Sequence, residues 1–132
     1  MEKWSKWINL TKENLKKVPE ESGIYKISYP KKINRLKGSD KDGILMIGMS
    51  SNLRKRINEF FLDVRKKGEP KSFYHSEGYR FWVLKLEEYF PIEKLRFKFM
   101  VIKNNKKTEK DELVKYQDRY LELPPLNNFG GR

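Results

Sequence analysis

The sequence predicts an α+β domain built on a small, mostly antiparallel, three-stranded sheet flanked by helices. Three observations predict it. Short runs at 23–29, 43–48 and 95–101 are apolar or alternate with period two, as strands do. Two stretches, 51–66 and about 108–121, place apolar residues at helical spacing. The 132-residue chain has no repeat, low-complexity tract or long linker, so residues 1–132 read as one domain.

Each element has a local reason. Thr11 can cap a short helix over 12–17 that Pro19 stops, and Trp4, Trp7 and Ile8 precede it at helical spacing as a lid for the core. Gly23-Ile24-Tyr25 opens the first strand, which Pro30 ends. Residues 30–43 form a basic loop with Gly38, Ser39, Asp40 and Gly43, and 43–48 is an apolar strand bounded by glycines. The loop joining these two strands suggests an antiparallel pair. Leu53, Ile57, Phe60, Phe61 and Val64 make one apolar stripe on the helix 51–66, capped by Ser51 or Asn52 and ended at Lys66, Lys67 and Gly68. Residues 69–78 read as a loop. The segment 79–90 fits a helix through Tyr79, Trp82, Val83, Leu86 and Phe90, although its composition also allows a strand. Leu95, Phe97, Phe99 and Val101 alternate with basic residues in a half-buried strand. Asn104 and Asn105 turn the chain into the last helix, which carries Leu113, Tyr116 and Tyr120 on one face and stops before Pro124-Pro125.

Composition excludes several chemistries. There is no Cys, so disulfides, thiolate nucleophiles and Cys-ligated zinc are absent, and the single His75 excludes His-cluster metal sites. No run approaches the ~20 apolar residues of a membrane span, and Met1 has no apolar run behind it. The expected compartment is therefore the cytoplasm. Thirty Lys and Arg against 18 Asp and Glu leave a net charge of +12. Aromatic residues make up 14%, too many for a disordered basic tail. Residues 26–71 hold 13 basic and 5 acidic side chains, a local excess of +8. A folded domain with such a one-signed region is expected to meet a polyanion, nucleic acid first. A merely solvated surface is the plain alternative. The basic loop with Lys31, Lys32, Arg35 and Lys37, joined by Arg54 and Lys55 on the helix, is the segment assigned to nucleic acid. Tyr29, Tyr74, Tyr79 and Trp82, near Lys71 and Arg80, could add stacking surface, although most aromatics are expected in the core.

Two short motifs stand out together: Gly23-Ile24-Tyr25 in the first strand and Met46-Ile47-Gly48 in the second. Arg56 follows that glycine by eight residues on a helix, and Glu112 on the last helix precedes Asn127 by 15. This ordered set, over about residues 20–128, resembles the GIY-YIG endonuclease superfamily, whose fold is a small antiparallel sheet flanked by helices. The resemblance implies metal-dependent hydrolysis of DNA phosphodiester bonds with Mg²⁺ or Mn²⁺. Tyr25 matches the tyrosine that activates or positions water, Arg56 the arginine that holds the scissile phosphate, Glu112 the metal-binding carboxylate, and Asn127 the terminal asparagine that orders the site. On residue types alone, Glu109 and Asp111 rival Glu112. Arg56 flanks the apolar stripe, about 40° from Phe60, which puts it at the seam of helix and sheet. The plain alternative pairs it with Asp63 or Glu59.

Two positions depart from the family pattern. Met46 stands where the second motif has tyrosine, and a thioether can neither donate a hydrogen bond nor act as an acid. Phe60 stands where many members carry a His one turn after the arginine. Both suit core positions. His75, from the 69–78 loop, either replaces a lost group or is an ordinary exposed residue. The alternative function is accordingly a catalytically degenerate nucleic-acid-binding module of the same fold. A more remote one is a basic scaffold for an acidic partner. The expected partner is DNA, with RNA open, and a homodimer or a guiding protein would supply target choice.

Overall fold

A computed structural model describes residues 3–67 and 71–127. Its elements run β1 (Ile8–Asn9), α1 (Lys12–Leu15), β2 (Gly23–Ser28), β3 (Ile33–Asn34), β4 (Ser39–Asp40), β5 (Ile44–Ser50), α2 (Leu53–Val64), α3 (Ser76–Val83), β6 (Arg96–Val101) and α4 (Asn105–Tyr120). The α+β class is as the sequence predicts. All pairings are antiparallel, and the main sheet has the order β1-β6-β2-β5. The three expected strands form its body, with β2 in the middle because its neighbours pair along its whole length.

The fourth strand corrects the expected three-stranded sheet and the expected helical lid. The segment 4–10 is extended rather than helical: Ser5 N–H donates to Phe99 O at 2.8 Å, Ile8 pairs with Phe97, and Leu10 N–H donates to Leu95 O at 2.9 Å. Long cationic side chains of the sheet hold its tryptophans. Lys26 lies 4.6 Å from the Trp4 ring, and Arg96 and Lys98 lie 4.5 and 4.7 Å from the Trp7 ring. Cation–π contact and sheet pairing outweigh the helical spacing of these residues.

Two apolar clusters sandwich the sheet. On one side Tyr25, Ile27 and Met46 pack with the stripe of α2 and with Phe81 of α3. On the other, Ile44 and Ile47 pack with Leu113, Tyr116 and Tyr120 of α4. Tyr29 belongs to the first cluster, edge-on to Phe90, so it offers no stacking surface. The 79–90 segment is helical, but α3 starts earlier, at Ser76, and ends at Val83, with a 3₁₀ turn at Leu86–Glu88. Helix α4 begins a turn before the predicted start, at Asn105, whose amide donates to Ser22 Oγ and Ser50 O. Asn52 caps α2, accepting from Lys55 N–H at 3.1 Å, while Gly68 lies outside the described residues.

Buried carboxylates pin the loops. Asp40, in the basic loop, accepts from Asp42 N–H, Ile44 N–H and the Tyr116 hydroxyl at 3.0, 2.9 and 2.8 Å. That loop is thereby tied to α4. A hydrogen bond to a buried charged group is worth about 1.5–3 kcal/mol. Tyr116→Phe, which deletes only the hydroxyl, is expected to destabilise the fold by about 1–3 kcal/mol in urea unfolding with an unchanged m-value.

Candidate active site

Strand β5 is an edge of the sheet, and Gly48 stands on it directly opposite Tyr25 of β2. A Cβ built on Gly48 would lie 2.5 Å from the Tyr25 hydroxyl, so the phenol occupies the space that any other residue would fill. From there a cleft of about 440 Å³ opens between β5, α2, α3 and α4. Tyr25, Arg56, His75, Glu77, Glu109 and Asn127 line it. Four of the sequence-predicted site residues thus come together: Tyr25, Arg56, His75 and Asn127. A larger cleft, about 540 Å³, between the end of α2 and α3 contains none of them.

Each side chain has a structural reason to be there. Arg56 lies at the seam of α2 and the sheet, as its place beside the apolar stripe predicts, with its guanidinium 5.6 Å from the Tyr25 ring centre. Its Nη2 donates to Glu77 Oε2 at 3.1 Å, while the buried Nη1 has no hydrogen-bond partner among the described residues. The partner is Glu77, not the Asp63 or Glu59 that helical spacing offers. Glu59 instead meets His75, with Oε1 2.8 Å from Nε2. Asp63, fully buried, accepts from the backbone N–H groups of Tyr74 and His75 at 3.0 and 3.1 Å. The loop carrying His75 is therefore held against α2, and the histidine, its side chain 31% exposed, lines the cleft.

Asn127 completes the edge of the sheet. Its side-chain oxygen accepts from Ile47 N–H at 3.0 Å and its amide nitrogen donates to Ile47 O at 2.9 Å, as a neighbouring strand would. Leu126 N–H donates to Leu45 O, and Arg80 donates to the carbonyls of Leu126 and Pro125 at 3.0 and 3.2 Å.

The structure does not bring Glu112 to this cleft. Its carboxylate pairs with Lys26 at 3.1 Å, in a separate depression that also takes in Asp42, Lys115 and Arg119. Successive residues of β2 face opposite ways, so Tyr25 and Lys26 serve different sides of the sheet. Glu109, almost one turn earlier on α4, is the carboxylate that reaches Tyr25's side. Burial, then the nearby Glu77, raise its pKa above the usual carboxylate range, with Arg56 working against them. Among the described residues no three His, Asp or Glu side chains gather into a metal cluster. A divalent ion that takes one or two carboxylates and completes its shell with water and substrate phosphate needs no such cluster. Glu109 fits that role, because a half-buried carboxylate beside another is relieved by a cation; Glu112, already paired with Lys26, does not.

The assigned cations divide in the same way. Arg54 donates to Val18 O and Lys16 O, and Arg35 to Leu123 O and to the Glu122 carboxylate, so both tie the chain together. Lys31, Lys32, Lys37 and Lys55 are exposed and line no part of the cleft. Met46 and Phe60 are fully packed, Phe60 edge-on to Phe81. Glu109 entered the sequence reading only as a rival of Glu112 and Glu59 only as an alternative partner of Arg56, while Glu77 was given no role. Only Glu59, at i+3 from Arg56, carried a positional signal.

Tyr25 is 1% exposed, and burial raises its pKa well above the ordinary phenol value of 10, against the pull of Arg56. Burial and the hydrogen bond to Asp40 do the same for Tyr116. In the unfolded chain both phenols lose their protons near pH 10, while in the folded chain they keep them to higher pH. Unfolding therefore releases protons in alkali, and stability is expected to fall as pH rises above about 10. Tyr25→Phe should flatten that fall in urea titrations at successive pH values. Gly48→Ala, which forces a methyl against the buried phenol, should cost about 1–3 kcal/mol in a thermal melt.

In comparisons with known proteins, the chain matches no family model, no curated protein and no solved structure.

Proposed function

We propose that this chain is a metal-dependent endonuclease that hydrolyses DNA phosphodiester bonds, with Glu109 rather than Glu112 as its metal-binding carboxylate. The observation that carries the reading is Arg56: a guanidinium held by Glu77 beside a buried tyrosine, with one nitrogen that has no hydrogen-bond partner among the described residues, in a cleft that also takes in His75 and Glu109. A guanidinium so placed binds phosphate oxygens and opposes the negative charge that develops on them as water attacks. The Glu77 contact fixes its direction, so no side-chain ordering is needed when the phosphate arrives.

Tyr25 acts as a neutral hydroxyl, because burial disfavours the phenolate. It orients the attacking water by hydrogen bonding. His75, oriented by Glu59, accepts the proton that the water loses as its oxygen bonds to phosphorus. The bond from phosphorus to the leaving sugar oxygen then breaks, that oxygen takes a proton from solvent water, and His75 returns its proton to solvent. A Mg²⁺ or Mn²⁺ ion on Glu109 would supply positive charge to the phosphate and the leaving oxygen. Asn127 holds the edge strand that carries Gly48, and so keeps the phenol in place.

A second reading, a binding module that has lost catalysis, is favoured by one observation: Met46 is buried and contributes no hydroxyl to the cleft, so Tyr25 is the only motif phenol. Nicking of supercoiled plasmid with Mn²⁺ separates the two. Glu109→Gln is expected to slow cutting by roughly a hundredfold or more, the scale of losing one group that stabilises transition-state charge. Glu112→Gln should cut near the wild-type rate. The opposite pattern would return the metal to Glu112. DNA binding that falls steeply with salt, without cutting by the wild type, would leave the binding module.

A further inference from the structure

The loop that carries His75 also carries aromatic surface that the cleft does not use. Phe73, Tyr79 and Trp82 pack together, with ring centroids 5.4 Å apart for Phe73–Tyr79 and 5.6 Å for Phe73–Trp82. A cluster that served packing alone would hide its faces, yet Tyr79 is 47% exposed and the adjacent Tyr74 55%. A cation is fixed beside them. Lys66 Nζ stands 4.6 Å from the Phe73 ring centre and 5.3 Å from that of Tyr74, tied to the Ser72 carbonyl and to Asp63. Lys71, Tyr74 and Tyr79 border a shallow depression of about 370 Å³. His75 and Ser76 line both this depression and the cleft of Tyr25 and Arg56. The surface therefore runs from two half-exposed tyrosines, past Lys66 and Lys71, into the cleft of Tyr25 and Arg56.

We propose that Tyr74 and Tyr79 form a base-stacking platform, and that the cleft takes nucleic acid with unpaired bases beside the bound phosphate. Only the cutting of such a strand rests on the nuclease reading; its binding does not. In an intact duplex each base face is covered by its neighbours. An unpaired base offers a free face that an exposed tyrosine ring covers, while lysines beside the rings meet the backbone charge. The recognition is tolerant of sequence, because every base has such a face. An acidic polypeptide would answer the lysines but would leave the tyrosine faces bare.

The test is binding without metal, in EDTA, so that cutting plays no part. A fluorescein-labelled single strand and the blunt duplex of the same sequence are titrated by anisotropy. A single strand containing 2-aminopurine reports stacking by quenching. The wild type is expected to prefer the single strand and to quench the probe. Tyr74→Ala and Tyr79→Ala should each weaken single-strand binding by roughly five- to hundredfold, the range for losing one base–aromatic stack, and duplex binding much less. Tyr74→Phe, which keeps the ring, should retain wild-type affinity. Because the Tyr74 ring lies at the surface, an unchanged thermal melt is expected for its variants. Equal losses on both substrates, no loss from either alanine, or no quenching overturns the platform. So does competition by polyglutamate as strong as by unlabelled single strand, which assigns the surface to acidic polypeptides. If these variants behave as expected but plasmid and single strand both stay uncut with Mn²⁺, the platform stands and the nuclease reading falls.

Discussion

The arrangement of the cleft depends on one buried carboxylate. Asp63 sits inside α2, fully removed from water, and receives two backbone N–H groups and a lysine. An ionised group there is tolerable only because those donors replace its water. Tying Tyr74 and His75 to α2 sets where α3 starts, and Gly78 of α3 has no room for a side chain because Asp63 lies against it. From α3, Glu77 turns to Arg56 and Arg80 reaches the carbonyls of Pro125 and Leu126. That grip lays Asn127 on the edge of β5, beside the glycine that admits the Tyr25 ring. One desolvated acid on the second helix thus positions groups from three other elements.

The electrostatics of the cleft follow from depth and alternation. Tyr25 is too deep to ionise easily, and its ring is held next to a permanent cation. Glu109 and Glu77 share the same cleft, and burial first, then the nearby Glu77, hold the Glu109 pKa above the usual carboxylate range. Across the sheet, Lys26 and Glu112 neutralise each other at 3.1 Å. The pleat of β2 separates an unbalanced site on one side from a balanced ion pair on the other.

Much of the fold was legible along the chain. The stripe of α2, the alternation of β6, the glycine-bounded run of β5 and the Thr11 and Asn52 caps all rest on local rules of period and side-chain reach. The N-terminal segment was not legible, because its tryptophans are placed by Lys26, Arg96 and Lys98, which are remote in sequence. Nor was the work of Arg35 and Arg54, whose partners are backbone carbonyls and, for Arg35, the Glu122 carboxylate, all remote in sequence.

The site divides along the same line. Tyr25, Gly48 and Arg56 belong to a strand pair and the helix that follows, within 32 residues of one another, so order and spacing were enough to place them together. The choice between Glu109 and Glu112 was out of reach of spacing. The two differ by 60° around one helix, and which of them meets Lys26 depends on how α4 lies across a sheet made from distant segments. His75 was undecidable for a related reason: a loop residue goes where its backbone is held, and the group that holds it is a buried aspartate whose desolvation exists only once α2, α3 and the sheet have closed over it.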